Sequence, residues 1–309
     1  MNDFILSVLV ITYNQEKYIT QTLDSILTQE HNYTYEIVIG EDCSTDSTRA
    51  IIESYAKKYP TIIKPIYNNP NLGLIKNYFN TLSHCTGKYI MECAGDDWWL
   101  PGKVAFQIDY MEKHPEVGMC YGKARIWYEN KKKFLKHSFG VKKESVEDLL
   151  LGNAIPAPSV CFRNVIAQEY IKTIKPESKD WLMEDYPFWF FIAHESQIKF
   201  FDKMLCCYRN VENSISHEVN IEKKFKFEKN GIDICKFYAN IYSYNYIEKK
   251  DEFLLFYIYI GILKKNYNKQ NAKLLRGYFK QIENKSFKMY IYILCSFNIL
   301  FWKLLNLLK

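Results

Sequence analysis

Apolar runs alternate with amphipathic stretches through the first hundred residues. The runs are rich in β-branched residues, as is typical of strands buried on both faces, and the stretches between them carry apolar positions at helical spacing. The predicted strands are 4–12, 35–40, 62–67 and 88–93, and the predicted helices are 16–29, 47–58 and 73–83. This alternation predicts βαβ units and an α/β fold with a Rossmann-like, mostly parallel sheet flanked by helices.

The pattern becomes more varied after residue 100. The predicted elements there are a helix over 103–114, strand material over 118–128, a hairpin turn at 131–133, a short helix over 145–151, a rigid turn over 152–159, an aromatic helix over 188–193, and a pair of strands over 197–208. Ser145 is the expected N-cap of the short helix, with Asp148 in the capping-box position. Beyond His217 the pattern is helical and basic to the end.

Composition and charge suggest a cytoplasmic protein with two domains. The nine cysteines are scattered without metal-type spacing, which indicates reduced thiols in a cytoplasmic protein. The first residues lack the basic start of a secretory signal. The net charge of +6 is uneven, because residues 221–309 carry 17 basic and 7 acidic residues. We therefore expect a catalytic domain over 1–218 and a basic, aromatic-rich helical extension over 219–309.

The extension ends in a mostly apolar run over 289–308 that contains Lys303. Its length would allow a membrane span, its mixture of aromatic, polar and basic residues fits a helix lying in the membrane interface, and packing against the apolar run 253–263 is a third possibility. The positive charge favours peripheral contact with an anionic membrane over binding of nucleic acid.

Three acidic clusters fall at separate predicted strand ends, and each contains an acidic pair: Glu41-Asp42 with Asp46, Asp96-Asp97, and Glu184-Asp185. Since the carboxyl ends of parallel strands share one edge, the first two pairs should meet there, and the third can fold over them. Paired carboxylates suit a divalent cation carrying phosphates, although an isolated Asp-Asp is usually a solvated turn. No Gly-rich dinucleotide fingerprint or Walker loop follows the first strand, which disfavours dinucleotide oxidoreductases and P-loop enzymes.

The segments 7–14 (SVLVITYN), 36–48 (EIVIGEDCSTDST) and 95–101 (GDDWWLP), together with Glu184-Asp185, are similar in sequence and order to family 2 glycosyltransferases. The resemblance covers about residues 5–215 and implies the GT-A fold and inverting transfer from a nucleotide sugar. It also implies that the nucleotide sugar contacts a set of matching residues: Thr12, Tyr13, Asn14, Glu41, Asp42, Lys76 and Asp97. From the residues alone, Asn14 is also a candidate helix N-cap, Asp46 a cap of the next helix, and Lys76 a solvated surface residue.

The resemblance also implies a metal site for Mg²⁺ or Mn²⁺. Asp96 matches the second carboxylate of the family's Asp-x-Asp motif, and Ala94 replaces the first. Asp96 can still hold the cation if the diphosphate and water supply the other ligands. Glu92, on the same strand face as Ala94, is a possible substitute. His217, in the segment that resembles the family's closing motif, is a further candidate ligand or phosphate contact.

Asp185 matches the family's catalytic base, which removes the proton from the acceptor hydroxyl. The alternative role of Asp185 is an N-cap for the helix opened by Tyr186-Pro187. Candidate acceptor contacts are Glu184, Trp98, Trp99 and Trp181, where the indoles either stack on sugar faces or pack in the core.

The favoured hypothesis is thus a metal-dependent inverting glycosyltransferase. Its expected donor is a UDP-sugar and its expected acceptor a glycan or lipid-linked hydroxyl in envelope polysaccharide synthesis, at the inner face of the cell membrane. A non-catalytic nucleotide-sugar binding module, suggested by Ala94, and a nucleotidyltransferase are the alternatives. A nucleotidyltransferase would need a Gly-rich basic loop after the first strand, and residues 13–17 do not provide one.

Overall fold

The computed structural model describes residues 4–211, 221–246, 256, 260–261, 263, 267, 269–282 and 285–307. The chain divides into two compact units, Met1–Val211 and Glu212–Lys309. The predicted boundary between 218 and 219 lies outside the described residues and stays a prediction.

The described part of the first unit, residues 4–211, contains nine strands in one sheet. The strands are β1 (Leu6–Thr12), β2 (Tyr35–Glu41), β3 (Ile63–Tyr67), β4 (Tyr89–Ala94), β5 (Trp98–Trp99), β6 (Val117–Tyr128), β7 (Lys133–Phe139), β8 (Cys161–Arg163) and β9 (Gln197–Asn210). Their order is β3-β2-β1-β4-β8-β6-β9-β5, with β7 paired to β6. The first four strands are parallel neighbours, whereas β8 runs antiparallel to both β4 and β6. The predicted α/β class is confirmed.

Helices connect and cover these strands. The helices of the first unit are α1 (Ile19–Leu27), α2 (Thr48–Lys58), α3 (Leu74–Ser83), α4 (Lys103–Lys113), α5 (Val146–Leu150), α6 (Asn164–Ile174) and α7 (Asp185–Glu195). Ser145 caps α5 as predicted, because its hydroxyl accepts a hydrogen bond from the Asp148 N–H. The apolar faces of α1, α2 and α4 close a core over the sheet, in which residues such as Val8, Ile37 and Met91 are fully buried.

The prediction of two strands over 197–208 is wrong, because β9 is one strand of 14 residues. Asp202 and Lys203 look like a turn in the sequence. The pairing of β9 with β6 instead advances from Tyr121 opposite Phe200 to Lys123 opposite Met204. A bulge therefore accommodates the extra residues of β9 without reversing the chain.

The second unit contains α8 (Ile221–Ile241), α9 (Lys269–Gln281), α10 (Phe287–Cys295) and α11 (Ile299–Leu307). The apolar run over 289–308 is therefore divided between two short helices. Within the described part of the chain, no helix combines the length and the apolar character that crossing a membrane requires. Met289, Tyr292 and Trp302 are buried in a cluster with Phe256 and Ile260, so one face of this run packs internally.

Candidate functional site

The carboxyl ends of β1, β2 and β4 lie side by side. Thr12 is paired with Glu41, and Ile11 with Ala94. The loops that begin after these strands therefore start from one edge of the sheet, as the sequence predicted for the first two acidic pairs. In open α/β sheets this edge is the usual place for a ligand.

Asn14, in the loop after β1, forms hydrogen bonds to the loop after β2. Its φ of 53° lies in the left-handed region. Its Oδ1 accepts a hydrogen bond from the Thr45 N–H at 2.8 Å, and its own N–H donates to the Ser44 hydroxyl at 3.0 Å. The helix-cap interpretation of Asn14 is wrong, because α1 begins at Ile19, with Tyr18 at the cap position. Tyr13, beside Asn14, is 47% exposed at the same edge.

Asp46 extends this junction. Its Oδ1 accepts a hydrogen bond from the N–H of Thr48, the first residue of α2, at 2.9 Å, and its Oδ2 accepts one from the Glu16 N–H at 3.1 Å. Burial opposes ionisation of Asp46, but these hydrogen bonds outweigh it and lower its pKa. The predicted cap is thus displaced by one residue: Ser47 occupies the cap position of α2, while the Asp46 side chain binds the first N–H of the helix and also holds the β1 loop.

Glu41 is fully buried and forms an ion pair with Arg49, with its Oε2 2.5 Å from the guanidinium Nε. Its Oε1 accepts a hydrogen bond from the Ser44 N–H at 2.6 Å. Both carboxylate oxygens therefore organise the β2 loop, and a nucleotide contact by Glu41 stays a prediction.

Asp42 organises the segment before α3. Its Oδ1 accepts hydrogen bonds from the Asn68 amide at 2.9 Å and the Leu72 N–H at 2.8 Å, and its Oδ2 accepts one from the Gly73 N–H at 2.9 Å. Lys76, one turn into α3, is exposed. The roles predicted for Asp42 and Lys76 toward a nucleotide sugar are not tested by these contacts.

Asp96 and Asp97 have different environments. Asp97 is 3% exposed, and its Oδ1 accepts the Arg209 N–H at 2.7 Å, so this carboxylate is committed to the fold. Asp96 is partly exposed. Burial raises the pKa of Asp96 to about 6, while Arg209 and the Gln15 side chain act in the opposite direction. Asp96 is therefore the more accessible carboxylate of the pair, and its predicted metal contact stays a prediction.

Arg209, from β9, fixes the turn that carries Asp96. Its Nε donates to the Asp96 carbonyl at 2.7 Å, and its Nη1 donates to the Glu129 Oε2 at 2.7 Å. The Gln21 Oε1 accepts a third hydrogen bond from its Nη2 at 2.5 Å. The guanidinium is thus a buried bridge between the Asp96 turn, α1 and the end of β6.

Two buried oxygen atoms beside Gly95 lack a hydrogen-bond partner among the described residues. They are the Thr12 Oγ1 and the Gln15 Oε1. A Cβ added to Gly95 would lie 2.7 Å from the first and 2.5 Å from the second, so only glycine allows this approach. The two oxygens can accept hydrogen bonds from hydroxyl or amide donors of a ligand, which supports the predicted involvement of Thr12.

Glu92 does not lie where a substitute for the Ala94 carboxylate would be expected. It is 5% exposed, and its Oε2 accepts a hydrogen bond from the Tyr78 hydroxyl of α3 at 2.7 Å. Burial raises the pKa of Glu92, and the nearby charges of Glu184 and Asp185 raise it further. The charges of the third acidic pair thus act on β4, and the folding of this pair over the sheet edge stays a prediction.

Asp185 is the first residue of α7, and Glu184 occupies the cap position without a side-chain cap bond. The Asp185 Oδ1 accepts a hydrogen bond from the Tyr186 N–H at 2.6 Å, and its Oδ2 accepts one from the Asn153 amide at 3.0 Å. Burial, together with the charge of Asp185, raises the pKa of Glu184 to about 8, and burial also raises the pKa of Asp185. Both residues are partly exposed, so these two carboxyl groups are accessible from solvent, and their catalytic and acceptor roles stay predictions.

The three candidate indoles differ in exposure. Trp98 is partly exposed and lies over the Arg209 guanidinium, with 4.6 Å between its ring centre and the Arg209 Cζ. Trp99 and Trp181 are 2% and 9% exposed, so their faces are largely covered by protein. Burial favours the packing interpretation for Trp99, and the acceptor contacts predicted for all three indoles stay predictions.

His217 lies outside the described residues. In the described part of the chain, no three His, Cys, Asp or Glu side chains lie together in a way that would hold a metal ion. Asp96 can supply one hard oxygen ligand, and this suits Mg²⁺ or Mn²⁺ only when phosphate and water oxygens complete the coordination.

Sequence reasoning did not identify Gln15, Asn153 or Arg209 as candidate site residues. A polar residue just after the first strand end was a usable signal for Gln15, and the Gly152-Asn153 turn near Pro156 was one for Asn153. Arg209 belongs, with Tyr208, to the segment that resembles the family's closing motif, but it lies more than a hundred residues after Asp96, and local pattern gives no indication of their contact.

Residues 7–172 match the family model described as glycosyl transferase family 2. An uncharacterized protein of Mycobacterium tuberculosis is 31% identical over 233 residues, which cover 73% of this chain and 64% of that protein. The chain thus spans less than two thirds of this relative's length. The UDP-Glc:alpha-D-GlcNAc-diphosphoundecaprenol beta-1,3-glucosyltransferase WfgD of Escherichia coli is 25% identical over 276 residues, covering 88% of this chain and all of WfgD.

Solved structures show the same fold. Residues 1–349 of Staphylococcus aureus TarS, in complex with UDP-GlcNAc, align with a TM-score of 0.54 and 17% identity, over 87% of this chain and 83% of that one. The mannosyltransferase PcManGT of Pyrobaculum calidifontis, in complex with GDP-Man and Mn²⁺, aligns with a TM-score of 0.54 and 16% identity, over 99% of this chain and 88% of that one. The match to the family model covers more than half of the sequence, and the chain belongs to glycosyl transferase family 2.

Proposed function

We propose that the protein transfers a sugar from a nucleotide sugar to a hydroxyl group of an acceptor, with inversion at the anomeric carbon. The observation that carries this proposal is the position of Asp185. Its carboxylate lies at the start of α7, partly exposed, near the strand that leads to Asp96. A base and a phosphate-facing carboxylate near one strand are what a direct displacement needs.

In this reaction Asp185 accepts the proton of the acceptor hydroxyl while the hydroxyl oxygen forms its bond to the anomeric carbon. The bond from that carbon to the nucleotide diphosphate breaks on the opposite side. A carboxylate whose pKa is raised by burial is a stronger base than an exposed one, provided that it is ionised at the working pH. The neighbouring Glu184, with a pKa of about 8, is protonated at neutral pH and can donate a hydrogen bond to a sugar hydroxyl.

The proposed metal position is at Asp96. Arg209 fixes the peptide of Asp96, and the Asp96 side chain is the more exposed of the two neighbouring carboxylates. Mg²⁺ or Mn²⁺, when bound, would neutralise charge on the leaving diphosphate. With Ala94 in place of a second carboxylate, we expect the metal to bind weakly in the absence of nucleotide.

We propose a UDP-sugar as donor and a lipid-linked glycan as acceptor. The name of WfgD states a UDP-glucose donor and a diphosphoundecaprenol acceptor, and WfgD aligns over its whole length with this chain. The TarS complex contains UDP-GlcNAc. A role in envelope polysaccharide synthesis, at the inner face of the cell membrane, follows from such an acceptor.

Contact with an anionic membrane through α10 and α11 is part of the same proposal. Several large apolar side chains on these helices and their connection point to solvent: Phe287, Tyr290, Leu294, Phe297, Ile299, Leu300 and Phe301. Residues 285–309 contain four lysines and no Asp or Glu. An apolar face with basic residues and no acidic ones is complementary to an anionic bilayer. Sedimentation with phosphatidylglycerol vesicles should be lost in Phe297→Ser/Leu300→Ser, and equal sedimentation would contradict the contact.

The test of transfer is the release of nucleotide from a panel of nucleotide sugars with Mn²⁺, with and without a chelator, and then with a lipid-linked acceptor. We expect one UDP-sugar to be turned over, chelator to reduce the rate, and Asp185→Asn to lower transfer at least 100-fold while donor binding is retained. Unchanged transfer by Asp185→Asn would exclude Asp185 as the base.

The loss of a metal-motif carboxylate at Ala94 favours one alternative, a module that binds a nucleotide sugar without catalysis. It predicts donor binding without turnover of any donor, even with acceptor present. The same panel therefore distinguishes the two functions.

A further inference from the structure

The loop between α5 and β8 reaches the proposed base through Asn153. The Asn153 Nδ2 donates to the Asp185 Oδ2 at 3.0 Å, and the Asn153 Oδ1 accepts the Ile155 N–H at 3.1 Å. The second bond fixes the orientation of the amide, because only the oxygen can accept a hydrogen bond from an N–H and only the NH₂ can donate to the carboxylate.

Although Asn153 is exposed, the loop that carries it is anchored in the core. Ile155 is 1% exposed. The Ser159 hydroxyl interacts with the Gly122 carbonyl at 3.0 Å, and the Ser159 carbonyl accepts a hydrogen bond from the Gln107 amide of α4 at 2.9 Å. These buried anchors fix the backbone of the loop, so the loop can hold the Asn153 amide against Asp185 although the Asn153 side chain itself is exposed.

We infer that Asn153 is a positioning residue for Asp185: its amide holds one carboxylate oxygen in place, favours the ionised base, and leaves the remaining lone pairs for the acceptor hydroxyl. This inference rests on the proposed function. The Tyr186 N–H holds the other oxygen at 2.6 Å. With both oxygens bound to donors, the carboxylate plane cannot rotate freely about its terminal torsion.

The charged and titratable groups around Asp185 make this amide important. Glu184 precedes it in sequence, Glu92 of β4 is close enough to be affected by the charge of Asp185, and the Tyr78 hydroxyl of α3 donates a hydrogen bond to Glu92. These neighbours supply no positive charge, and burial also opposes ionisation of Asp185. The N–H of Tyr186, the amide of Asn153 and the N–H of Asp185 itself act against these effects, and Asn153 is the side chain among these donors.

The sharpest test is Asn153→Asp, which keeps the shape of the side chain and an oxygen for the Ile155 N–H but replaces the donor by a second carboxyl. Loss of this donor should raise the pKa of Asp185 by about one unit or more, because a hydrogen bond to a charged group corresponds to a pKa shift of roughly that size. The acidic limb of the pH dependence of kcat/KM should move to higher pH by the same amount. Transfer at the low-pH end should fall about tenfold and recover at high pH.

Three further variants complete the design. Asn153→Ala, which loses both bonds, should move the acidic limb in the same direction and lower kcat more than it raises the KM for donor. Asn32→Asp makes the same charge change on an exposed residue that precedes β2. Because the candidate site residues follow the other end of β2, this variant should leave the pH profile unchanged. Asp185→Asn is measured in parallel.

The outcomes separate the two proposals. If Asp185→Asn abolishes transfer but Asn153→Asp and Asn153→Ala keep the wild-type acidic limb, the positioning role is wrong and the proposed base stands. If Asp185→Asn transfers normally, the proposed base is wrong and the inference fails with it. A shift of the limb in both Asn153 variants, with circular dichroism unchanged, supports the inference.

Discussion

Replacing Arg209 by Met tests the bridge that holds the Asp96 turn. The Arg209–Glu129 ion pair joins Nη1 to Oε2 at 2.7 Å, and the two side chains are only 6% and 11% exposed. Met keeps most of the apolar volume but removes the hydrogen bonds to the Asp96 carbonyl, Glu129 and Gln21. The buried Glu129 carboxylate would then lose one of its three donors, and the Asp96 carbonyl would lose the donor that Arg209 supplies.

The magnitude follows from the environment of Glu129. Burial alone would raise its pKa, but hydrogen bonds from Lys132, Arg209 and Trp127 lower it from 4.5 to about 2. This difference corresponds to about 3 kcal/mol of stability, shared among the three donors. Removing one partner of a buried pair costs about 3–5 kcal/mol in general. Because Lys132 and Trp127 remain, we expect Arg209→Met to lower the free energy of unfolding by about 3 kcal/mol.

The assay is urea unfolding at pH 7 followed by tryptophan fluorescence. The matched control is Lys88→Met, which breaks the Lys88–Glu112 pair at 2.8 Å, with side chains 49% and 38% exposed, and should cost no more than about 1 kcal/mol. Adding Glu129→Gln to Arg209→Met should restore part of the loss, because no buried charge is then left unpaired.

The pH dependence gives a second check. A lowered carboxyl pKa contributes stability above the unfolded pKa of 4.5, and this contribution is lost as pH falls toward 2. Arg209→Met should therefore show a smaller loss of stability between pH 5 and pH 2 than the wild type. Equal costs for Arg209→Met and Lys88→Met at pH 7 would refute the reasoning.

Three further predictions concern β4 and the residues after it. Burial raises the pKa of Glu92, so the wild type should lose stability as pH rises above 4.5. The free energy of unfolding of Glu92→Gln, measured in urea, should therefore increase relative to that of the wild type between pH 5 and pH 8. A constant difference between the two proteins over this range would contradict the prediction. Ala94→Asp should raise Mn²⁺ affinity in the presence of UDP about tenfold by calorimetry, and unchanged affinity would place the metal elsewhere. Gly95→Ala, whose Cβ would lie 2.7 Å from the Thr12 Oγ1, should weaken UDP binding and cost about 1–3 kcal/mol, whereas Gly277→Ala, in open space on α9, should be neutral or stabilising. Equal effects of the two glycine variants on UDP binding would argue against the close approach.

The sequence alone predicted the α/β class and placed the first two acidic pairs at one sheet edge. The apolar runs of β1, β2 and β4 are short, β-branched and separated by helical patterns, and these local signals are sufficient for parallel pairing. The cap at Ser145 was predictable for the same reason, because the capping bond to Asp148 joins residues three apart.

Only the tertiary structure decided how the carboxylates differ. Asp96 and Asp97 are adjacent and chemically identical, and they become distinct because the N–H of Arg209, from β9, binds Asp97. The contact of Asn153 with Asp185 likewise joins the α5–β8 loop to α7.

The strand β9 shows the same limit for secondary structure. Asp202 and Lys203 indicate a turn locally, yet pairing with β6 keeps the chain extended through a bulge. Hydrophobic periodicity and helix capping act between residues a few positions apart, so the sequence determined the alternating strands and helices of the first hundred residues and the shared sheet edge. Hydrogen-bond partners and burial depend on which distant segments pack together, so the tertiary structure decided which carboxylate is exposed, which is committed to the fold and which binds the Asn153 amide.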